Sequence, residues 1–167
     1  MTLDLGGTVF WVAPSGEETY SVVVPAFGSA SDFEVIRLDA SLDAGVLAES
    51  QSNVQTVTLE QDYVYWGIGD ADGGALARVA RTGGTPEVVA RTDLPVGAVG
   101  SCCGKVFFAT FSPVLPSQEA LYKFEVETGR VDKLVTDVHL VLQIVPLQEG
   151  VYWTEQYRRV ARIEPLP

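Results

Sequence analysis

The sequence predicts an all-β protein assembled from about four copies of one short antiparallel unit. Three observations support this prediction: the composition favours strands, three residue clusters recur in the same order along the chain, and turn-forming residues separate the clusters. The 167 residues are 47% hydrophobic and 20% charged, with few lysines. Such a composition is typical of a globular domain, and frequent valine favours strands over helices.

The first repeated cluster is a valine followed by two aromatic residues. Its last aromatic residue falls at positions 11, 66, 108 and 153. A period of this size, roughly 40–55 residues, is typical of repeat folds whose units each contain several strands. The four copies are Val9-Phe10-Trp11, Val64-Tyr65-Trp66, Val106-Phe107-Phe108 and Val151-Tyr152-Trp153.

Two further clusters recur after the aromatic clusters. The second reads apolar, any residue, basic, apolar, and four aligned basic residues rarely arise by chance. The third is a short run, mostly apolar, that closes three of the four units. Copies of the second are Val35-Ile36-Arg37-Leu38, Leu76-Ala77-Arg78-Val79, Leu121-Tyr122-Lys123-Phe124 and Val160-Ala161-Arg162-Ile163, and copies of the third are Val46-Leu47-Ala48, Val88-Val89-Ala90 and Leu134-Val135-Thr136.

Each complete unit contains four predicted strands, because an apolar leading strand also precedes each aromatic cluster. Gly, Asp and Pro occupy the breaks between strands, as hairpin turns require. The predicted units cover 1–50, 51–93, 94–137 and 138–167, and the last one stops after its third strand. The leading strands are Thr2–Leu5, Val54–Leu59, Val96–Val99 and Leu140–Val145.

Four strands in each unit of this length predict an array of β-propeller blades. Tyr152-Trp153-Thr154-Glu155 resembles the YWTD signature of the propellers in lipoprotein-receptor ectodomains. The run from Gly83 to Ala90 resembles repeats of large bacterial, TolB-like propeller proteins. This resemblance covers the whole chain and implies a superfamily of mostly six-bladed propellers, with a leaning toward extracytoplasmic proteins. Its motifs are structural, so it implies a fold rather than an activity.

Three arrangements of the units remain open: a partial array of a larger propeller, a closed four-bladed ring, or a half that pairs with another half. An open array leaves an apolar blade face bare at each end, and bare apolar faces associate. We therefore expect self-association or additional blades.

A candidate binding site lies in the stretch 13–32, which is predicted as a long loop on one rim of the array. Long loops on a rigid scaffold often carry function. The alternative is a longer hairpin that covers an exposed end. The candidate binding residues are Glu17, Glu18, Tyr20, Phe27 and Asp32.

A weak metal candidate is the run Gly69–Gly74, in which Asp70 and Asp72 resemble part of a calcium-binding loop. A complete loop requires further oxygen ligands and a bidentate Glu, which this run lacks. Asp and Gly are also the residues that tight turns favour, so a simple hairpin is the expected reading. Calcium is the one cofactor that the sequence suggests.

Cysteine and histidine offer little chemistry. Cys102 and Cys103 are adjacent, with Cα atoms about 3.8 Å apart, below the usual disulfide range of roughly 4.4–6.8 Å. We therefore expect two free thiols, with a strained vicinal disulfide as the alternative. His139 is the single histidine, which excludes a metal site that needs a pair of histidines. Trp11, Trp66 and Trp153 are expected in the core, and the four aligned basic residues are expected to extend their charges into water.

Net charge and hydropathy limit the classes of partner that the sequence predicts. A net charge of −11 excludes a nucleic-acid partner, because phosphate contacts require clustered Lys and Arg. No apolar run is long enough to span a bilayer, and no signal peptide is recognised. The preferred function is a non-catalytic binding or interaction scaffold. The alternative is a propeller enzyme, hydrolase- or lactonase-like, built around a central metal; among the predicted inner strands only Asp4 offers a carboxylate for such a metal.

Overall fold

The computed structural model describes residues 7–25, 33–39, 44–51, 54, 56–70, 73–112, 114, 118–156 and 159–164. These residues form fifteen strands, and none of them belongs to a helix long and apolar enough to cross a bilayer. The strands are β1 Gly7–Ser15, β2 Glu18–Pro25, β3 Phe33–Leu38, β4 Ala44–Gln51, β5 Val57–Glu60, β6 Tyr63–Asp70, β7 Gly73–Ala80, β8 Glu87–Thr92, β9 Val96–Cys102, β10 Lys105–Thr110, β11 Ala120–Glu125, β12 Val131–Thr136, β13 Val141–Leu147, β14 Gly150–Glu155 and β15 Val160–Ile163.

The strands form four antiparallel sheets, which we call blades I (β1–β4), II (β5–β8), III (β9–β12) and IV (β13–β15). Within each blade the strands lie in sequence order. The first strands of successive blades are neighbours, with β1 beside β5, β5 beside β9 and β9 beside β13. This arrangement confirms the predicted propeller blades. Blade IV has three strands among the described residues, as the repeat predicted.

The strand assignment predicted for blade I is wrong. Val9, Phe10 and Trp11 lie in the first strand, β1, and not in the second. The second strand is β2, which occupies Glu18–Pro25 within the stretch 13–32 that was predicted as a long loop. Residues 2–5, the predicted leading strand, lie outside the described residues. The prediction was wrong because a valine followed by two aromatic residues belongs to the second strand in the other three blades.

Strand register reveals the true repeat. In every blade, the aligned basic residue of the third strand sits directly opposite an aromatic residue of the second strand. Blade I contributes Tyr20 to this series, so it matches the other blades without an insertion. The pairs are Tyr20 with Arg37, Tyr65 with Arg78, Phe107 with Lys123, and Tyr152 with Arg162.

The core lies between blades. Three apolar clusters fill the spaces between blades I and II, II and III, and III and IV. Both faces of an inner blade are therefore buried, which explains strands that are apolar on both sides. Trp66 is 0% exposed and Trp153 is 5% exposed, which confirms their predicted core positions; the side chain of Trp11 is not described.

Backbone approaches between blades require glycine at particular positions. A Cβ atom on Gly100 would lie 2.6 Å from the carbonyl oxygen of Ile144, and one on Gly67 would lie 2.6 Å from that of Val96. Blades II and III are also joined by polar contacts. Thr58 Oγ1 lies 2.7 Å from Ser101 Oγ, and Glu60 accepts the N–H of Gly104 at 2.8 Å. The blades consequently form one continuous stack.

Candidate interaction surface

Each blade has a forward face, which we define as the side that packs against the next blade along the chain. The residue two positions before the aligned basic residue lies on this face in every blade. At that position Val35, Leu76 and Leu121 are each 0% exposed, whereas Val160 of blade IV is 71% exposed. The forward face of blade IV is thus open where the three equivalent faces are covered.

The open face is mostly apolar. Val145 and Leu147 of β13 are 42% and 46% exposed, and Tyr152 of β14 is half-buried. The guanidinium carbon of Arg162 lies 5.2 Å from the centre of the Tyr152 ring. Contiguous apolar surface with a polar border is characteristic of interaction sites.

The opposite end of the array differs from the bare face that we expected there. On the backward side of blade I, Ser21, Val23 and Ile36 are 1%, 2% and 3% exposed. Val46 of the outer strand β4 is the exposed exception, at 49%. Among the described residues, the extended apolar exposure therefore lies at one end, on blade IV.

The aligned basic residues are ion-paired rather than simply solvated where the blade is complete. Arg78 Nε lies 2.6 Å from Glu87, and Lys123 Nζ lies 2.8 Å from Glu125 and 3.2 Å from Asp132. Lys123 is only 3% exposed, so the prediction that its charge extends into water is wrong. Its hydrogen bond to Glu125 raises the pKa of Lys123. Contact with that ammonium lowers the pKa of both carboxyl groups.

The candidate rim residues lie at the junction of blades I and II. Glu17 is exposed in the turn between β1 and β2. The carboxylate of Glu18 accepts hydrogen bonds from Tyr20 at 2.6 Å and from Arg81 at 2.8 Å. Those contacts lower the pKa of Glu18, the Tyr20 hydroxyl contributing most. Tyr20 is fully buried, and burial raises its pKa.

The structure therefore brings Glu18 and Tyr20 together with Arg81, which sequence reasoning missed because it lies 61 residues from Tyr20. Arg81 Nε donates to the Tyr20 hydroxyl at 2.9 Å. Phe27 and Asp32 lie outside the described residues. A ligand for this cluster stays a prediction, and its visible role is to join two blades.

The metal candidate lies at the β6–β7 hairpin. Asp70 ends β6 and pairs with Gly73, so a two-residue connection joins the strands. The side chain of Asp70 and the whole of Asp72 are not described. A Cβ atom on Gly73 would lie 2.5 Å from the carbonyl oxygen of Thr92, so packing accounts for this glycine. Within the described ranges, no three His, Cys, Asp or Glu side chains form a metal-binding group.

The adjacent cysteines form a disulfide, contrary to the expectation of two free thiols. Their Cα atoms are 3.8 Å apart, and Cys103 has a φ of 61° in the turn between β9 and β10. The distance criterion describes bridges between separate segments and does not exclude a bond between neighbours in such a turn. The disulfide borders a cleft of about 170 Å³ that also reaches Leu147 and Glu164.

A second polar cleft, of about 320 Å³, lies between blades II and III and reaches the buried carboxylate of Glu119. This side chain is 2% exposed. It accepts hydrogen bonds from the backbone N–H groups of Ser112, at 2.8 Å, and Leu140. One oxygen of Glu119 thus closes the β10–β11 loop, and the other joins this loop to the connection before blade IV.

Comparison with known proteins identifies the class as β-propeller. No protein-family model matches the sequence, and no curated protein matches it either. A chain of the nidogen/laminin complex is similar over 96% of this chain and 62% of its own length, with a TM-score of 0.79 and 10% identity. The computationally designed Ika4 protein is similar over 99% of both chains, with a TM-score of 0.67 and 13% identity. Ika8, also designed, is similar over 93% of this chain and 45% of its own, with a TM-score of 0.65 and 13% identity.

These identities establish the fold alone. This chain spans 62% of the length of the matched chain of the nidogen/laminin complex. The protein is therefore a β-propeller blade array of four successive blades, the fourth with three described strands.

Proposed function

We propose that this protein is a non-catalytic interaction scaffold that associates through the forward face of blade IV. The observation that carries the proposal is the 71% exposure of Val160, at a position where the other three blades are 0% exposed. Three internal junctions already show how such a face is covered by an apolar sheet. We propose a second copy of the chain as the occupant.

The chemistry of the open face supports self-association. Fully burying a side chain such as Val145 or Leu147 contributes roughly 1.5–3 kcal/mol, before the cost of association is subtracted. The border carries both signs of charge, with Arg162 beside the exposed Glu149 and Glu164. Mixed charge suits a two-fold interface, in which one patch must complement itself.

We infer that the blades are of the YWTD and TolB-like type. In support of this, Trp153 of the YWTE run packs in the core between blades III and IV, and its indole N–H donates to Glu155 at 2.9 Å. The YWTE run thus contributes to the packing of the core between blades III and IV. An array of four blades is about two thirds of a six-bladed ring, close to the 62% of the nidogen-complex chain that it covers.

Light scattering after gel filtration, at several protein concentrations, tests the proposed association. We expect the wild-type chain to be a dimer or larger and Val145→Asp to be monomeric. Val114→Asp is the matched control, because Val114 is 79% exposed on the β10–β11 loop of blade III. Raising the salt concentration should strengthen association, since it screens repulsion between copies of charge −11. A wild-type monomer at every concentration would overturn the proposal, as would equal disruption by the two variants.

A further inference from the structure

The outer edge of β15 carries an inference separate from the forward face. Among the described residues, β15 pairs with β14 on one side only. In blades I, II and III the corresponding strand is paired on its other side by β4, β8 or β12. An unpaired edge presents backbone N–H and C=O groups that can template an added strand.

Of the three fully paired blades, II and III show what such a strand looks like; in blade I the residue opposite Arg37 is Gly45. Opposite Arg78 stands Glu87, and opposite Lys123 stands Asp132. From that acid onward, both outer strands read acid, any residue, Val or Leu, Ala or Val. The two segments are Glu87-Val88-Val89-Ala90 and Asp132-Lys133-Leu134-Val135.

The apolar residues of this pattern are recognised through packing between the blades. Val89 and Leu134, at the third position, pack against the inter-blade cores. The register shifts at this position, between Leu76 and Ala77 and between Leu121 and Tyr122. Blade I has the same shift and keeps apolar Leu47 and Ala48 there. The third residue is thus a bulge residue in all three blades.

The acidic residue of this pattern is recognised through an ion pair with the aligned basic residue. Glu87 and Asp132 lie 2.6 Å and 3.2 Å from their basic partners. In blade IV the equivalent Arg162 donates to the carbonyl of Glu149 at 3.3 Å and stacks on Tyr152, and within the described ranges it has no carboxylate partner. Arg162 therefore marks the position at which an acidic residue of an added strand would form an ion pair.

We propose that the β15 edge binds an extended segment of another polypeptide, with the order acid, any residue, Val or Leu, Ala or Val, as an added antiparallel strand. The sequence of this chain contains that order only at 87–90 and 132–135, and both copies already serve as outer strands. We propose as the occupant a partner peptide of this chemistry, held by backbone hydrogen bonds, a bulge and the Arg162 ion pair.

Fluorescence anisotropy with a labelled peptide tests the site on the full chain. The probe is the peptide of residues 128–137, which contains the β12 segment, and the matched control is the same peptide with Asp132→Lys. We expect the unchanged peptide to bind roughly tenfold or more tightly, because a charge-assisted hydrogen bond is replaced by like-charge repulsion. Equal binding of both peptides, or of neither, would overturn the proposal.

Charge reversal on the protein locates the binding site. Arg162→Glu should invert the preference, so that the Asp132→Lys peptide binds better. Arg91→Glu makes the same charge change at an exposed residue of β8 and should leave the preference unchanged. If the peptide displaced the native β12 in blade III, Arg162→Glu would have no effect, and that result would also reject the site. Val145→Asp, which tests the forward face, should retain peptide binding, so the two proposals fail separately.

Discussion

Blades III and IV carry equivalent residues in different surroundings. Leu121 and Val160 occupy the same position in their blades, yet one is fully buried and the other is 71% exposed. Gly100 is pressed against the backbone of Ile144, whereas its equivalent in blade IV is Val145, which is 42% exposed. Exposure at these positions is decided by whether another blade follows, and the side chains stay apolar in both cases.

The same contrast holds for charge. Lys123 is enclosed by Glu125 and Asp132, the latter supplied by the outer strand β12. Arg162 in blade IV contacts an aromatic ring and a carbonyl group. The outer strand thus completes an ion pair as well as a sheet, and its absence among the described residues of blade IV leaves both an edge and a cation available.

The largest expected effect comes from truncating equivalent core positions. Trp66→Ala should cost about 3–5 kcal/mol and Leu121→Ala about 2–5 kcal/mol, because each leaves a cavity in a dry core. In the monomeric Val145→Asp background, Val160→Ala should stay within about 0.5 kcal/mol, as exposed substitutions do. Urea unfolding followed by tryptophan fluorescence measures all three. Similar costs for Leu121→Ala and Val160→Ala would break the comparison of blades III and IV.

A smaller effect is expected from the two cations, and it depends on pH. The lowered pKa values of Glu125 and Asp132 mean that their stabilisation is present at neutral pH and is lost as pH falls below about 4. The raised pKa of Lys123 means that its contribution is complete below its ordinary pKa and is lost as pH rises through the raised value.

Lys123→Gln should therefore lower the melting temperature at pH 7 and flatten its decline in acid. Arg162→Gln should leave both nearly unchanged. Thermal unfolding followed by circular dichroism at several pH values provides the comparison. An equal response of the two variants would show that the ion pair with Asp132 contributes nothing.

The smallest expected effect concerns calcium at the β6–β7 hairpin. If Asp70 and Asp72 form only a turn, added calcium should leave the melting temperature unchanged. A site held at a hundredfold above its dissociation constant would add about 2.7 kcal/mol. A clear rise that Asp72→Ala abolishes would establish a metal site in a region where the structure describes only the flanking backbone.

Sequence reasoning succeeded where local patterns repeat and failed where two strands share a composition. The trio Val64, Tyr65 and Trp66 identifies the second strand of blade II, but Val9, Phe10 and Trp11 form part of a first strand. Composition cannot separate the two, since both strands pack against a neighbouring blade. Register can, because Tyr20 stands opposite Arg37 as its equivalents do in the other blades.

The sequence by itself determined the all-β class, the four units, the incomplete fourth blade and the buried positions of Trp66 and Trp153. These follow from the recurring residue clusters and from the turn residues between them, which act over a few neighbours along the chain. The tertiary structure decided that Lys123 is buried, that Arg81 meets Tyr20 and Glu18, and that the open apolar face lies on blade IV. These features depend on which blade packs against which, and residues far apart in sequence create them.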